Sequence, residues 1–154
     1  MNRFIIAALP LAILAGCATS TTPPVSQVAT DVNLISTGIA AVVASLQADP
    51  AVNQASLATV QADLKIIQAD AATVASATSA PSTSVVQEIV STVEALAPVA
   101  LAMVPGGSAL VPVIDAAVSL APVLMADLGA SGAAPGAVAP VYTPAQARAL
   151  LAAH

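Results

Sequence analysis

Few groups in this chain are able to do chemistry. There is one cysteine, Cys17, and one histidine, His154, at the last position; the three cations are Arg3, Lys65 and Arg148, against eight carboxylates. A serine or cysteine nucleophile needs a base within hydrogen-bond reach, and no internal histidine is present to serve. A metal site needs a cluster of ligands that one His and one Cys do not supply. Asp63 and Asp70 fall on one helix face, but two helical turns separate them by about 10 Å, too far to share a proton. Gly106-Gly107-Ser108 lacks the lysine of a phosphate loop and follows a helix rather than a strand, so it reads as a helix–helix turn. Lys65, flanked by Gln61 and Gln68, reads as part of a solvated face, and His154 as a solvated terminus. These residues predict no catalysis, no metal and no cofactor.

Asp115 stands apart because it is the only charge between Val99 and Met125. At mid-bilayer a carboxylate costs about 2.5 to 3.5 kcal/mol on insertion scales. It therefore marks either a candidate intramembrane or partner site or, as the plainer reading, a carboxylate at the edge of a soluble core facing water.

Cys17 has the most informative surroundings. Met1-Asn2-Arg3 makes a short positive start, Phe4 to Leu14 is an almost continuous apolar run, and Ala15-Gly16 are small enough for a peptidase cleft. The run is too short for a bilayer core that needs about 20 residues, and its anatomy is that of a signal peptide. Leu14-Ala15-Gly16-Cys17 resembles the lipobox of bacterial lipoprotein precursors. That resemblance covers residues 1–17 only. It implies recognition of Leu14, Ala15 and Gly16 by a signal peptidase, a mature chain starting at Cys17, and covalent lipid on Cys17. Ala18, standing where an aspartate would retain such proteins at the inner membrane, implies an outer-membrane location facing the periplasm, with the inner membrane as the alternative. A plain N-terminal helix with a buried thiol and cleavage by the general signal peptidase remain as other readings of these residues.

Composition bounds the rest. Of the 154 residues 58% are hydrophobic but only 1% aromatic, so a core has to be built from Ala, Val, Leu and Ile. Charged residues make up 7%, against roughly 25% in an ordinary soluble domain. Such a surface calls for a membrane, a partner or self-association. The net charge of −5, with cations this scarce, excludes nucleic-acid binding, which needs clustered Lys and Arg to neutralise phosphates. An acidic membrane surface would repel the chain weakly, so the membrane contact would come from the lipid.

The elements that must position these groups follow from periodicity. Residues 17–24 read as a polar, proline-ended tether. Val28, Val32, Ile35, Ile39, Val42 and Leu46 are spaced alternately four and three apart, predicting a helix over 25–48. Asp49-Pro50 offers a cap and a first-turn proline for a second helix over 50–77, whose seam is Leu57, Val60, Leu64, Ile67, Ala71 and Val74. The two should form an antiparallel hairpin, with Ala40, Ala44, Ala58 and Ala62 allowing close approach and Asp31, Asn33, Gln47, Gln54, Gln61, Asp63, Lys65, Gln68 and Asp70 on a polar side. Ser84-Val85-Val86-Gln87 has capping-box spacing for a third helix to about Val104, kinked at Pro98. A fourth spans about 109–128, with Pro112 in its first turn and Pro122 inside. Helices three and four are apolar nearly all round and should be buried, either under the first hairpin or in lipid.

Residues 129–142 read as a Gly/Ala/Pro-rich linker. Thr143-Pro144-Ala145-Gln146 combines a cap, a first-turn proline and a capping-box glutamine for a short helix ending near Ala153, which is too short to be stable alone and should dock on the helical body.

The expected organisation is thus a signal peptide (1–16), a lipidated tether (17–24), a helical domain (25–128, hairpins 25–77 and 84–128), a linker and a terminal helix (143–154). The fold class is all-α: antiparallel hairpins of about four Ala/Val-rich helices plus a short C-terminal one. The expected function is a lipid-anchored envelope protein with a structural or interaction role, partnered by other envelope proteins or by copies of itself. The alternative is a membrane-active lysis or pore-forming factor that inserts residues 85–128.

Overall fold

Each apolar seam becomes one wall of a shared core. The computed structural model describes residues 25–104, 108–129 and 140–154, among which there are five helices and no strand. They are α1 (Val25–Gln47), α2 (Gln54–Ser76), α3 (Thr83–Met103), α4 (Leu110–Asp127) and α5 (Pro144–Ala152). Residues 1–24, which hold Leu14, Ala15, Gly16 and Cys17, lie outside the described part, as do 105–107 and 130–139.

α1 packs on α2, α2 on α3, α3 on α4 and α4 back on α1, closing a four-helix ring that α5 joins along α4 and α1. Short connections make successive neighbours antiparallel. On α1 the predicted seam residues Val28, Val32, Ile35, Ile39, Val42 and Leu46 are all buried. On α2 the same holds for Leu57, Val60, Leu64, Ile67 and Val74, with Ala71 packed at the margin. The space enclosed by Ile39, Val42, Val93, Leu96, Ala97 and Ile114 is about 10 Å³ and its lining is apolar, so at this point small side chains close the core to about the size of one water.

Four local expectations are corrected. Asp49 does not cap α2: its Oδ1 accepts from Ala51 N at 2.9 Å, folding Asp49-Pro50-Ala51 into a turn. The cap is Asn53, whose Oδ1 accepts from Ala55 N and Ser56 N at 2.9 and 3.2 Å. Val52 and Leu57, which flank that cap, are both buried, the pattern of a hydrophobic staple.

The Ser84–Gln87 box is not the start of α3, because the helix begins at Thr83 with Ser82 as its cap residue, two residues earlier than a Ser84 cap would place it. Ser82 and Ser84 hydroxyls bond each other at 2.6 Å instead.

The alanines that let helices approach are also different ones. Ala44, Ala58 and Ala62 are exposed and Ala40 is half-buried, whereas Ala97, Ala100, Ala116, Ala117 and Ala121 are buried.

Finally, burial separates α4 from α3. α4 is enclosed by α1, α3 and α5 and exposes only Pro122 and Ala126, while α3 keeps an outer face that includes Gln87, Glu88, Ser91, Ala95, Pro98 and Leu101. Both internal prolines lie on exposed faces. There the carbonyl left without a donor can bond water rather than sit unsatisfied in the core.

Candidate functional site

The most organised polar cluster in the described part is the junction of α5 with α1 and α4. It contains a residue expected on the polar side of the first hairpin. Asp31 is 0% exposed, not a surface carboxylate. Its position follows from spacing: three residues after Val28 and four before Ile35, it rides on the edge of the buried seam.

Arg148 on α5 reaches it with both arms of the guanidinium. Nε donates to Oδ1 at 2.8 Å and Nη2 to Oδ2 at 2.7 Å, a bidentate pair that matches the planar fork of arginine. Gln27 Nε2, one turn earlier on α1, donates to the same Oδ1 at 3.1 Å. The Asp31 hydrogen bond raises the Arg148 pKa above its ordinary value, against the opposing effect of burial, and the negative charges of Asp31 and Asp127 add to it. Asp127, at the end of α4, has its own pKa raised by burial and by Asp31, with Arg148 offsetting part. Two acids therefore face one base.

Two further contacts fix the same segment. Gly38 lies two turns after Asp31 on α1, where a Cβ would collide with Leu151 Cδ2 and touch Val113 Cγ1 at 3.4 Å. The missing side chain is a notch that Leu151, 1% exposed, fills. On α4, Ser119 is buried; its hydroxyl donates to the Asp115 carbonyl at 2.7 Å and accepts from Val141 N and Tyr142 N at 3.2 and 3.3 Å. That hydroxyl uses its donor and both lone pairs. α5 itself starts as expected, with Thr143 and Gln146 forming a capping box and Pro144 in the first turn.

The structure scatters the remaining sequence candidates. Asp115 is half-buried on α4 and contributes its backbone carbonyl to the Ser119 contact. Lys65 and His154 are exposed, and Asp63 and Asp70 are half-buried on α2. Asp70 Oδ2 is enclosed without a hydrogen-bond partner among the described residues, and burial together with the Glu88 charge raises its pKa. Among the described residues no three His, Cys, Asp or Glu side chains cluster so as to hold a metal ion. The α5 junction is a mechanical fastening, with the chemistry of a salt bridge and a socket.

Asp31, Arg148, Gly38 and Ser119 were not singled out by sequence. Signals for two of them are present in the sequence: Asp31 is an acid beside an apolar seam in a chain with few cations, and Gly38 costs about 1 kcal/mol in mid-helix and so calls for a packing reason. Nothing in the sequence marks Arg148 or Ser119 as their neighbours.

No protein-family model, curated protein or solved structure matches this chain.

Proposed function

We propose that the chain is a lipid-anchored protein of the bacterial envelope whose helical body has a structural or protein-interaction role and no catalytic one. The observation that carries this is Leu14-Ala15-Gly16-Cys17 behind the Phe4–Leu14 apolar run. On this reading Cys17 bears the lipid, residues 18–24 are the tether, and the body sits at the outer membrane facing the periplasm. Each buried methylene contributes about 0.8 kcal/mol, so two or three acyl chains hold a protein stably where one does not. The packing supports a body held beside the membrane, because the seams of α1 to α4 are spent on one another.

A second reading has its own observation. α1, α3 and α4 are long and apolar enough to cross a membrane. In that reading the α3–α4 hairpin leaves the bundle and enters the bilayer. Glu88 and Glu94 on α3 and Asp115 on α4 oppose it through their desolvation cost.

Carbonate extraction of membranes from cells expressing Cys17→Ala separates the two readings. Release of the variant into the soluble fraction, with the parent retained, supports the lipid anchor; retention of the variant supports the inserted hairpin.

A further inference from the structure

The fastening of α5 has features of a contact that opens. A buried ion pair is a poor way to stabilise a permanently closed core, since apolar residues of similar volume often do as well or better. Between two elements that separate, the same pair is well suited: Asp31 and Arg148 are hydrated when apart and satisfied when together. The surface that α5 covers is correspondingly mixed, presenting an acid at Asp31, a bare backbone at Gly38 and a hydroxyl at Ser119. The nine-residue α5 is too short to hold its helix in water, so a detached tail gains by docking again.

The groove and its occupant are encoded in one chain, and every copy therefore carries both. Ten residues separate Gly129 from Pro140, a length of chain that reaches at most about 35 Å at full extension.

We propose that α5 is exchangeable: the groove marked by Asp31, Gly38 and Ser119 accepts residues Val141–Leu151 of a second copy, giving a reciprocal dimer in which each chain supplies the Arg148 and Leu151 that complete the other's groove. In dilute solution the tail closes on its own groove, because docking within one chain is intramolecular and docking between chains is not. Crowding of copies favours exchange. The inference deepens the proposed interaction role, resting on it for the choice of a protein partner, and names a second copy of this chain as that partner.

The test uses full chains carrying Cys17→Ala, in mild detergent, weighed by native mass spectrometry. Asp31→Arg places two arginines at the junction and Arg148→Asp places two aspartates there, so each variant alone repels its tail both within and between copies. Mixed one to one, a reciprocal exchange pairs Arg with Asp at both grooves. The expected result is monomer for each variant alone and a heterodimer as the major species of the mixture. A mixture that stays monomeric overturns the proposal.

A second measurement needs no altered groove. The parent Cys17→Ala chain, unfolded and refolded at rising concentration, should yield a dimer fraction that grows at least tenfold between micromolar and near-millimolar protein and persists after dilution. Monomer at every concentration overturns the proposal. Either failure leaves the lipid-anchor reading untouched, and an unlipidated Cys17 leaves the exchange untouched.

Discussion

Arg148 donates two hydrogen bonds to the fully buried carboxylate of Asp31, 117 positions earlier in the chain, and so ties the last helix to the first. The two partners are not equivalent. The Arg148 side chain is 32% exposed and can turn to water when its partner is lost, whereas the Asp31 side chain, 0% exposed with α5 docked, cannot while α5 stays in place. Arg148→Ala should therefore destabilise more, by about 3 kcal/mol, against about 1 to 2 kcal/mol for Asp31→Ala. Both losses are capped by the free energy of undocking α5. Urea unfolding of the two variants and of the double variant checks the order; equal single losses would contradict it.

Gly38 and Leu151 should be coupled with a change of sign. Alanine at 38 gains up to about 1 kcal/mol of helix propensity in α1 but pushes on Leu151. Gly38→Ala is expected to destabilise the parent chain and to stabilise a Leu151→Ala chain. A double-mutant cycle should give a coupling of about 1 kcal/mol or more.

Ser119→Ala deprives the Val141 and Tyr142 amides of their acceptor. Val141 is 63% exposed, so water partly replaces the hydroxyl and the cost should be about 1 kcal/mol. Hydrogen exchange is the sharper measurement. The amides of residues 141–151 should lose protection while those of α2 and α3 keep theirs.

Acidity should stabilise the bundle over a defined window. The carboxyls of Asp70 and Asp127 have folded-state pKa values raised above the ordinary 3.8, mainly by burial. A raised carboxyl binds its proton more tightly in the folded state. Its stabilisation is complete below the unfolded value and is lost as pH rises through the folded one. Stability should therefore rise as pH falls from neutral toward about 4, and Asp70→Asn should raise it at pH 7 and flatten that slope. An unchanged slope in Asp70→Asn would show that the enclosed Oδ2 is not responsible.

Pro98 lies on the exposed face of α3, inside the helix. An internal proline costs up to about 3 kcal/mol in helix propensity and a lost hydrogen bond, so Pro98→Ala should raise the midpoint of thermal unfolding. A lower midpoint would mean that the helix needs its kink.

Most of the fold was legible because one signal, the alternation of three- and four-residue spacings, specifies both a helix and its buried face. The six seam residues of α1 became its core without exception. Caps were less legible, since competing polar residues stand close together. Asp49 and Asn53 both precede α2, and which of them caps it depends on where Val52 must be buried. The junction was hidden for a different reason. Asp31 taken alone resembles any helix carboxylate, and its partner is fixed only by the path of the chain between α4 and α5. Arg148, one of only three cations, is half-buried there rather than on a free surface.

Mass spectrometry of the N-terminal peptide of the protein isolated from membranes decides whether Cys17 carries lipid. A peptide that begins at Cys17 and carries the added mass of a diacylglycerol, with or without an acyl chain on its amine, is the predicted result. An intact Met1, or a Cys17 free of lipid, would contradict it.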